Sequence, residues 1–316
     1  MALDTLVQQM INGITLGGMY ALVALGYTLV YGIMLMINFA HSEMFMAGAY
    51  VGLFALTGLS NPKLVGAGTA HFFTSSGFGL VLLFVLVFLI AMIAVGCLGM
   101  FIERVAYRPL RNAPRLAPLI SAIGVSIFLQ NAALLWIDSR ALPFPQLFPV
   151  KDITIYKTAS ISTLQILILV TVVVLLLCLD TFVSRTRIGK AMRATSQDRD
   201  AAGLMGVNIN TVIALAFFIG PALGAVAGIF SGMYYGTVHW GMGFIPGIKS
   251  FTAAVVGGIG NLRGAMIGGF VLGILEALAA GFLSSGYKDV IAFIVLILVL
   301  IFRPGGLLGE SVVEKV

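Results

Sequence analysis

The sequence predicts an all-α polytopic membrane protein, and three observations carry that prediction. Hydrophobic residues make up 60% of the 316 residues and charged residues only 9%, where a soluble globular protein carries about 25% charged residues. The charges are also unevenly placed. No Asp, Glu, Lys or Arg lies between Asp4 and Glu43, Lys63 and Glu103, Arg115 and Asp138, Lys157 and Asp180, or Asp200 and Lys249. Finally, basic residues gather in two short islands, one of Arg104, Arg108, Arg111 and Arg115, the other of Arg185, Arg187, Lys190, Arg193 and Arg199. So few charges cannot cover a surface in water, so lipid tails are the solvent for most of the chain.

The charge-free runs place the crossings in order. Spanning helices are expected at 9–34, 43–59, 78–102, 117–137, 163–183, 211–235, 264–284 and 288–303, with a shorter glycine-punctuated element at 247–260. That makes about eight to nine transmembrane segments, some short or broken, at roughly 20 apolar residues per crossing. No Pro/Gly-rich linker divides the chain, so 1–316 reads as one transmembrane domain. Asp4 is the only charge before His41. A signal peptide opens on positive charge, so the first apolar run is expected to be a retained helix. The net charge of +6 reads as helix flanks rather than a nucleic-acid surface. Cys97 and Cys178 lie in apolar runs and are expected to be small buried side chains.

Short loops rich in Lys and Arg stay in the cytoplasm, which puts both basic islands there. The segments 60–77 and 138–162 then read as outside loops, the second with Pro143, Pro145 and Pro149. Propagating along the chain puts the N-terminus outside and the C-terminus in the cytoplasm.

Two short stretches are the expected translocation pathway. The first begins at Asn38 and carries His41, Ser42 and Glu43 where a helix should break, with Ser42 able to cap the new N-terminus. The second, 247–260, carries Lys249 and Thr252 before a run of small residues. Paired short, glycine-interrupted segments point to an inverted-repeat transport core; ordinary hairpins with glycine packing are the other reading. Glu276 falls near the bilayer midplane between Arg263 and Lys288. A carboxylate there must face protein or water, so it either lines the path or is protonated and bonded to a neighbouring helix. Lys249 poses the same question or snorkels to the outer interface. The three histidines are scattered and no His-Glu-x-x-His motif occurs, so no metal site is expected. Ser42 beside His41 is not by itself a dyad, and no catalytic residue is assigned.

The cytoplasmic segment at about 186–208 is longer than a connection needs. Lys190 to Met205 reads as a surface helix ended by Gly189 and Gly206, followed by Asn208 or Asn210 as the next cap. Its mixed charge suits a docking surface for a cytoplasmic partner; a solvated basic flank is the plainer reading.

Here a family resemblance enters. Gly189-Lys-Ala-Met-Arg-Ala-Thr-Ser-Gln-Asp198, then Ala202 and Gly206-Val-Asn208, resembles the coupling loop of LivH-type permeases of ATP-binding-cassette (ABC) importers. So do Thr15-Leu-Gly-Gly-Met-Tyr-Ala-Leu22, Asn38-Phe-Ala-His41, Glu103-Arg-Val-Ala-Tyr-Arg-Pro-Leu110, Ser121 through Asn131, Lys249 through Gly260, and the tail Arg303-Pro-Gly-Gly-Leu-Leu-Gly309. Ser42 departs from the Gly that many relatives carry before the Glu. The resemblance implies the permease fold shared with ribose-type importers. It also implies import of branched-chain or other neutral amino acids, with urea, short amides and acidic amino acids as alternative cargo, in the bacterial inner membrane. The partners it implies are a LivM-like second permease, two cytoplasmic ABC ATPases and a periplasmic amino acid-binding protein. ATP and Mg would be bound by those ATPases and no cofactor by this chain, which lacks the Gly-x-x-x-x-Gly-Lys-Ser/Thr phosphate loop. Coupling would fall to Arg187, Gly189, Lys190, Arg193, Asp198, Ala202 and Gly206, and the pathway to Asn38, His41, Glu43, Thr252 and Glu276. A stand-alone secondary transporter is the rival that would leave 185–210 without a role.

Overall fold

The computed structural model describes residues 2–111, 113–114, 116–146, 148–156, 158–303 and 305–309; Arg115, Lys157 and Pro304 lie outside them. The chain runs α1 (Ala2–Met34), α2 (His41–Leu59), α3 (Pro62–Val65), α4 (Ala67–Ser75), α5 (Gly77–Ile102), α6 (Leu116–Trp136), β1 (Leu142–Pro143), β2 (Asp152–Tyr156), β3 (Ala159–Ser162), α7 (Thr163–Arg185), α8 (Arg187–Gln197), α9 (Arg199–Leu204), α10 (Ile209–Tyr235), β4 (Thr237–Val238), α11 (Phe244–Gly257), α12 (Leu262–Phe282) and α13 (Lys288–Phe302). Seven helices among the described residues are long and apolar enough to cross a membrane. Two apolar helices are shorter, α11 with 14 residues and α13 with 15. At ~1.5 Å per residue, α11 reaches only about 21 Å of a hydrocarbon core near 30 Å.

Side-chain caps fix many helix starts. Ser76 accepts from the Gly79 amide, Asn208 from Thr211 and Asn261 from Gly264. Ser162 and Gln165 form a reciprocal capping box at α7. Of the two candidate caps before α10, Asn208 therefore serves. Ser42 does not cap α2, whose N-cap is Ala40 without a side-chain bond; its hydroxyl turns to Phe39 O and to Glu43 instead. The segment 60–77 is not a loop. Asn61 caps α3 with Pro62 in its first turn, and α4 follows. Within 138–162, β2 and β3 form an antiparallel hairpin. The short element expected at 247–260 starts earlier, at Phe244, and ends at Gly257.

The chain divides into two compact units. The first comprises Met1–Asn38, Lys151–Ala216 and Ile245–Val316. Its centre is α1 on α12, each carrying a Gly-x-x-x-Gly pair on the touching face. A Cβ at Gly17 would stand 2.7 Å from the Phe270 Cα, and one at Gly269 2.6 Å from the Ala21 Cα. Backbones that close need glycine, and lipid supplies no hydrophobic drive between helices, so this contact area is what holds them together. After α13 the chain returns to α11. Leu307 N donates to Val256 O at 2.8 Å, Leu308 N to Gly257 O at 3.0 Å, and Asn261 Nδ2 to Leu308 O at 2.7 Å. The tail thereby meets carbonyls that the end of α11 leaves open.

The second unit comprises Phe39–Val150 and Phe217–Phe244. Here α2 lies against α10, with Gly48 on the Ala225 backbone and Gly228 on the Phe45 carbonyl. Phe84, Phe88 and Phe230 stack beside them, with centroids 4.3 Å apart for the first pair and 4.9 Å for Phe88–Phe230. Pro221 inside α10 removes the bond to Phe217 O, and Gly99 backs onto that carbonyl. Cys97 and Cys178 are exposed rather than buried, free thiols on the outer faces of α5 and α7. Periodicity cannot show which face of an all-apolar helix turns inward.

Candidate functional site

In the second unit, α2 opens with His41, Ser42 and Glu43, all buried. Three neutral donors converge on one oxygen of Glu43: Ser42 Oγ at 3.1 Å, Ser126 Oγ at 3.1 Å and Gln130 Nε2 at 2.8 Å. Ser126 and Gln130 stand four apart on α6, one turn of helix, so both reach the same atom. The other oxygen, Oε2, has no hydrogen-bond partner among the described residues. Gly243 closes over it. A Cβ there would stand 3.1 Å from Oε2 and 2.5 Å from Ser42 O. No Lys, Arg or His forms an ion pair with Glu43 among the described residues. Ser42 thus supplies one of the three donors.

The first unit holds a different cluster. Lys249 on α11 is 3% exposed. Its Nζ lies 2.6 Å from Glu276 Oε1 on α12 and 2.6 Å from Asp289 Oδ1 on α13. Tyr20 on α1 donates its hydroxyl to Glu276 Oε2 at 2.9 Å. Glu276 therefore bonds the neighbouring helices α1 and α11. Four helices meet at this network, and an unpaired buried charge would be costly at Lys249 or Glu276. Thr252, one turn past Lys249, is buried and donates to Ile248 O at 3.0 Å, so its hydroxyl is satisfied on its own helix. Asn38, the last residue of the first unit's opening segment, is buried too.

The segment expected to couple is two helices rather than one. α8 and α9 break at Asp198, whose carboxylate accepts from Ala201 N at 2.9 Å and starts α9. Gly189 is not a helix end. It lies in the first turn of α8, behind the cap Thr186, packed on the carbonyls of Phe182 and Val183 at the end of α7. Gly206 does end α9, with φ 84°, and the bonds from Gly206 N to Gly203 O and Val207 N to Ala202 O form a Schellman turn. Gly189, Met192, Thr195 and Ala202 face inward, while Arg187, Lys190, Arg193 and Asp198 are exposed. Past the last of the charges, Leu204 is 90% exposed and Met205 85%. Nothing in the sequence singles out those two side chains, which look like any others in an apolar chain.

Apolar helices long enough to cross a membrane, buried polar clusters at the start of α2 and on the short helix α11, and the charged helices α8 and α9 define a multi-pass membrane protein of the permease class. Residues 9–300 match the family described as branched-chain amino acid transport system / permease component. The high-affinity branched-chain amino acid transport system permease protein BraD of Pseudomonas aeruginosa is 48% identical over 312 residues, 98% of this chain and 97% of the relative. The corresponding LivH protein of Escherichia coli K12 is 47% identical with the same coverage. A probable branched-chain amino acid transport permease protein LivH of Methanocaldococcus jannaschii is 27% identical over 94% of this chain and 91% of its own length. No solved structure matches. The chain belongs to the branched-chain amino acid permease family.

Proposed function

We propose that this chain is the membrane-spanning permease subunit of an ATP-binding-cassette importer for branched-chain amino acids. The single observation that carries the reading is 48% identity, end to end, to a permease named for that transport system. Residues 1–316 act as one transmembrane domain of the bacterial inner membrane, with the N-terminus outside and the C-terminus in the cytoplasm. A LivM-like permease completes the pathway, two ATPases bind ATP and Mg and dock on α8–α9, and a periplasmic binding protein delivers the amino acid.

The mechanism is alternating access. ATPase closure moves α8 and α9, and the pathway beside α2 and α11 switches between inward- and outward-open, whether or not the two halves form an inverted repeat. Exposed Arg187, Lys190, Arg193 and Asp198 offer charge to a docking partner, and Leu204 and Met205 offer apolar anchors. Gly189, Ala202 and Gly206 shape the two helices. Asn38, His41, Glu43, Thr252 and Glu276 lie at or behind the pathway wall.

Arg193→Glu and Asp198→Lys should each insert normally yet uncouple ATP hydrolysis from uptake; normal uptake by both would sink the coupling role. Cargo is tested on the co-purified complex by competing a panel of amino acids, urea and short amides for its binding protein. Leucine, isoleucine and valine should compete best, and preference for urea or an acidic amino acid would overturn the substrate assignment.

A further inference from the structure

We infer that Arg199 is the joint through which the motor-docking segment holds the end of α1, a positioning role in coupling that rests on the proposed importer function. Its guanidinium donates from Nε to Ile33 O at 2.9 Å and from a terminal nitrogen to the same oxygen. Ile33 lies in the last turn of α1, where helix carbonyls have no partner within the helix. A guanidinium there meets both the open carbonyl and the negative end of the helix dipole. The two residues are 166 positions apart in sequence, so this is a tertiary joint and not a local cap.

The backbone just past Ile33 depends on this joint. Leu35 takes φ 52° and is the only non-glycine residue at positive φ among the described residues. It is 70% exposed, so burial of its side chain does not impose that conformation. Neither glycine nor proline stops the helix here. The stop is held from outside, by Arg199, immediately before the stretch that leads to Asn38.

Met192 and Thr195 of α8 are buried, and α8 packs on α1. A cavity of about 60 Å³ lies between α8 and the end of α1, lined by Thr28, Gly32, Ile33, Met192, Arg193 and Ser196. Close packing transmits displacement, and at this cavity it is missing. Arg193 makes a comparable bond, to Ser184 O at 3.1 Å, but that oxygen belongs to α7, the helix from which α8 springs. Asp198 fixes where α9 begins, and so fixes the point from which Arg199 reaches. Arg199 therefore ties the docking segment to the open end of α1 by a polar bond, beside the packing of α8 on the same helix.

The test has two arms. The complete importer, with both permeases, the ATPases and the binding protein, is reconstituted with wild type, Arg199→Met or Arg199→Lys, and labelled leucine moved per ATP hydrolysed is measured. Arg199→Met should assemble and keep its KM for uptake while moving about ten-fold less leucine per ATP, the size of one lost charge-assisted hydrogen bond; Arg199→Lys, which keeps a donor, should recover at least half. A ratio for Arg199→Met within two-fold of wild type overturns the joint, and so does failure of that variant to assemble, which would mark a structural role. The second arm follows amide hydrogen exchange across 31–36 of the full-length permease in nanodiscs without its partners. Exchange should accelerate in Arg199→Met, and unchanged exchange overturns the joint. If the wild-type complex itself does not couple, the importer reading fails, and the exchange arm still decides the joint.

Discussion

Glu43 and Glu276 are both buried carboxylates on apolar helices, and their surroundings could hardly differ more. Glu276 is held by a cation, Lys249, and by the Tyr20 hydroxyl, with Asp289 as a second anion on the same lysine. Glu43 is held by two hydroxyls and an amide, all on one oxygen. The first arrangement is a brace, because the buried charges of Lys249 and Glu276 depend on each other and four helices are tied at one point. The second is a cradle that any acceptor of the same shape would fill. Burial alone therefore does not say how a carboxylate is held; one of these is met by a cation and the other by neutral donors.

The comparison breaks most readily at Lys249. Lys249→Met should lower stability by about 3–5 kcal/mol, because it leaves Glu276 buried without its cation; thermal unfolding in detergent measures this, and a loss below about 1 kcal/mol would mean the brace is not a fixed ion pair. Glu276→Gln should cost less, about 1–3 kcal/mol, since Lys249 keeps Asp289 and the new amide still accepts from Tyr20. Glu43→Gln should cost under about 1 kcal/mol, because an amide carbonyl accepts the same three donors. Uptake measured on that variant then isolates the charge: stability kept with uptake lost assigns Glu43 to transport, and both kept removes it from any charge-dependent step. Asp180→Asn is the exposed reference. Its partner Arg263 has a side chain 72% exposed, and surface pairs of this kind contribute little, so the unfolding midpoint should not move.

Much of the fold is legible in the chain because lipid imposes simple rules. The gaps between charges locate the crossings, and Asn61, Ser76, Ser162, Asn208 and Asn261 mark helix starts in the residue types that cap them. The sites are harder. Lys249 looks like a residue that could reach an interface, because its partners stand far along the chain and Asp289 sits beside Lys288 as any helix flank would. Ser126 and Gln130 do leave a signal, two polar residues one turn apart on an otherwise apolar helix, though nothing in sequence aims them at Glu43. The break at Asp198 is hidden because a single amphipathic pattern runs through both helices. Arg199 stands in the basic island as one charge among several, and only the fold distinguishes it.

The tail bonds to α11 carry a consequence for how the protein is made. The carbonyls of Val256 and Gly257 are met by Leu307 and Leu308, which leave the ribosome only after α12 and α13 have been synthesised. Until then α11 enters the bilayer with an unfinished end, and unmet backbone groups are poorly tolerated there. The nascent chain thus keeps this half-length helix provisional and closes it only when the last membrane helix is in place.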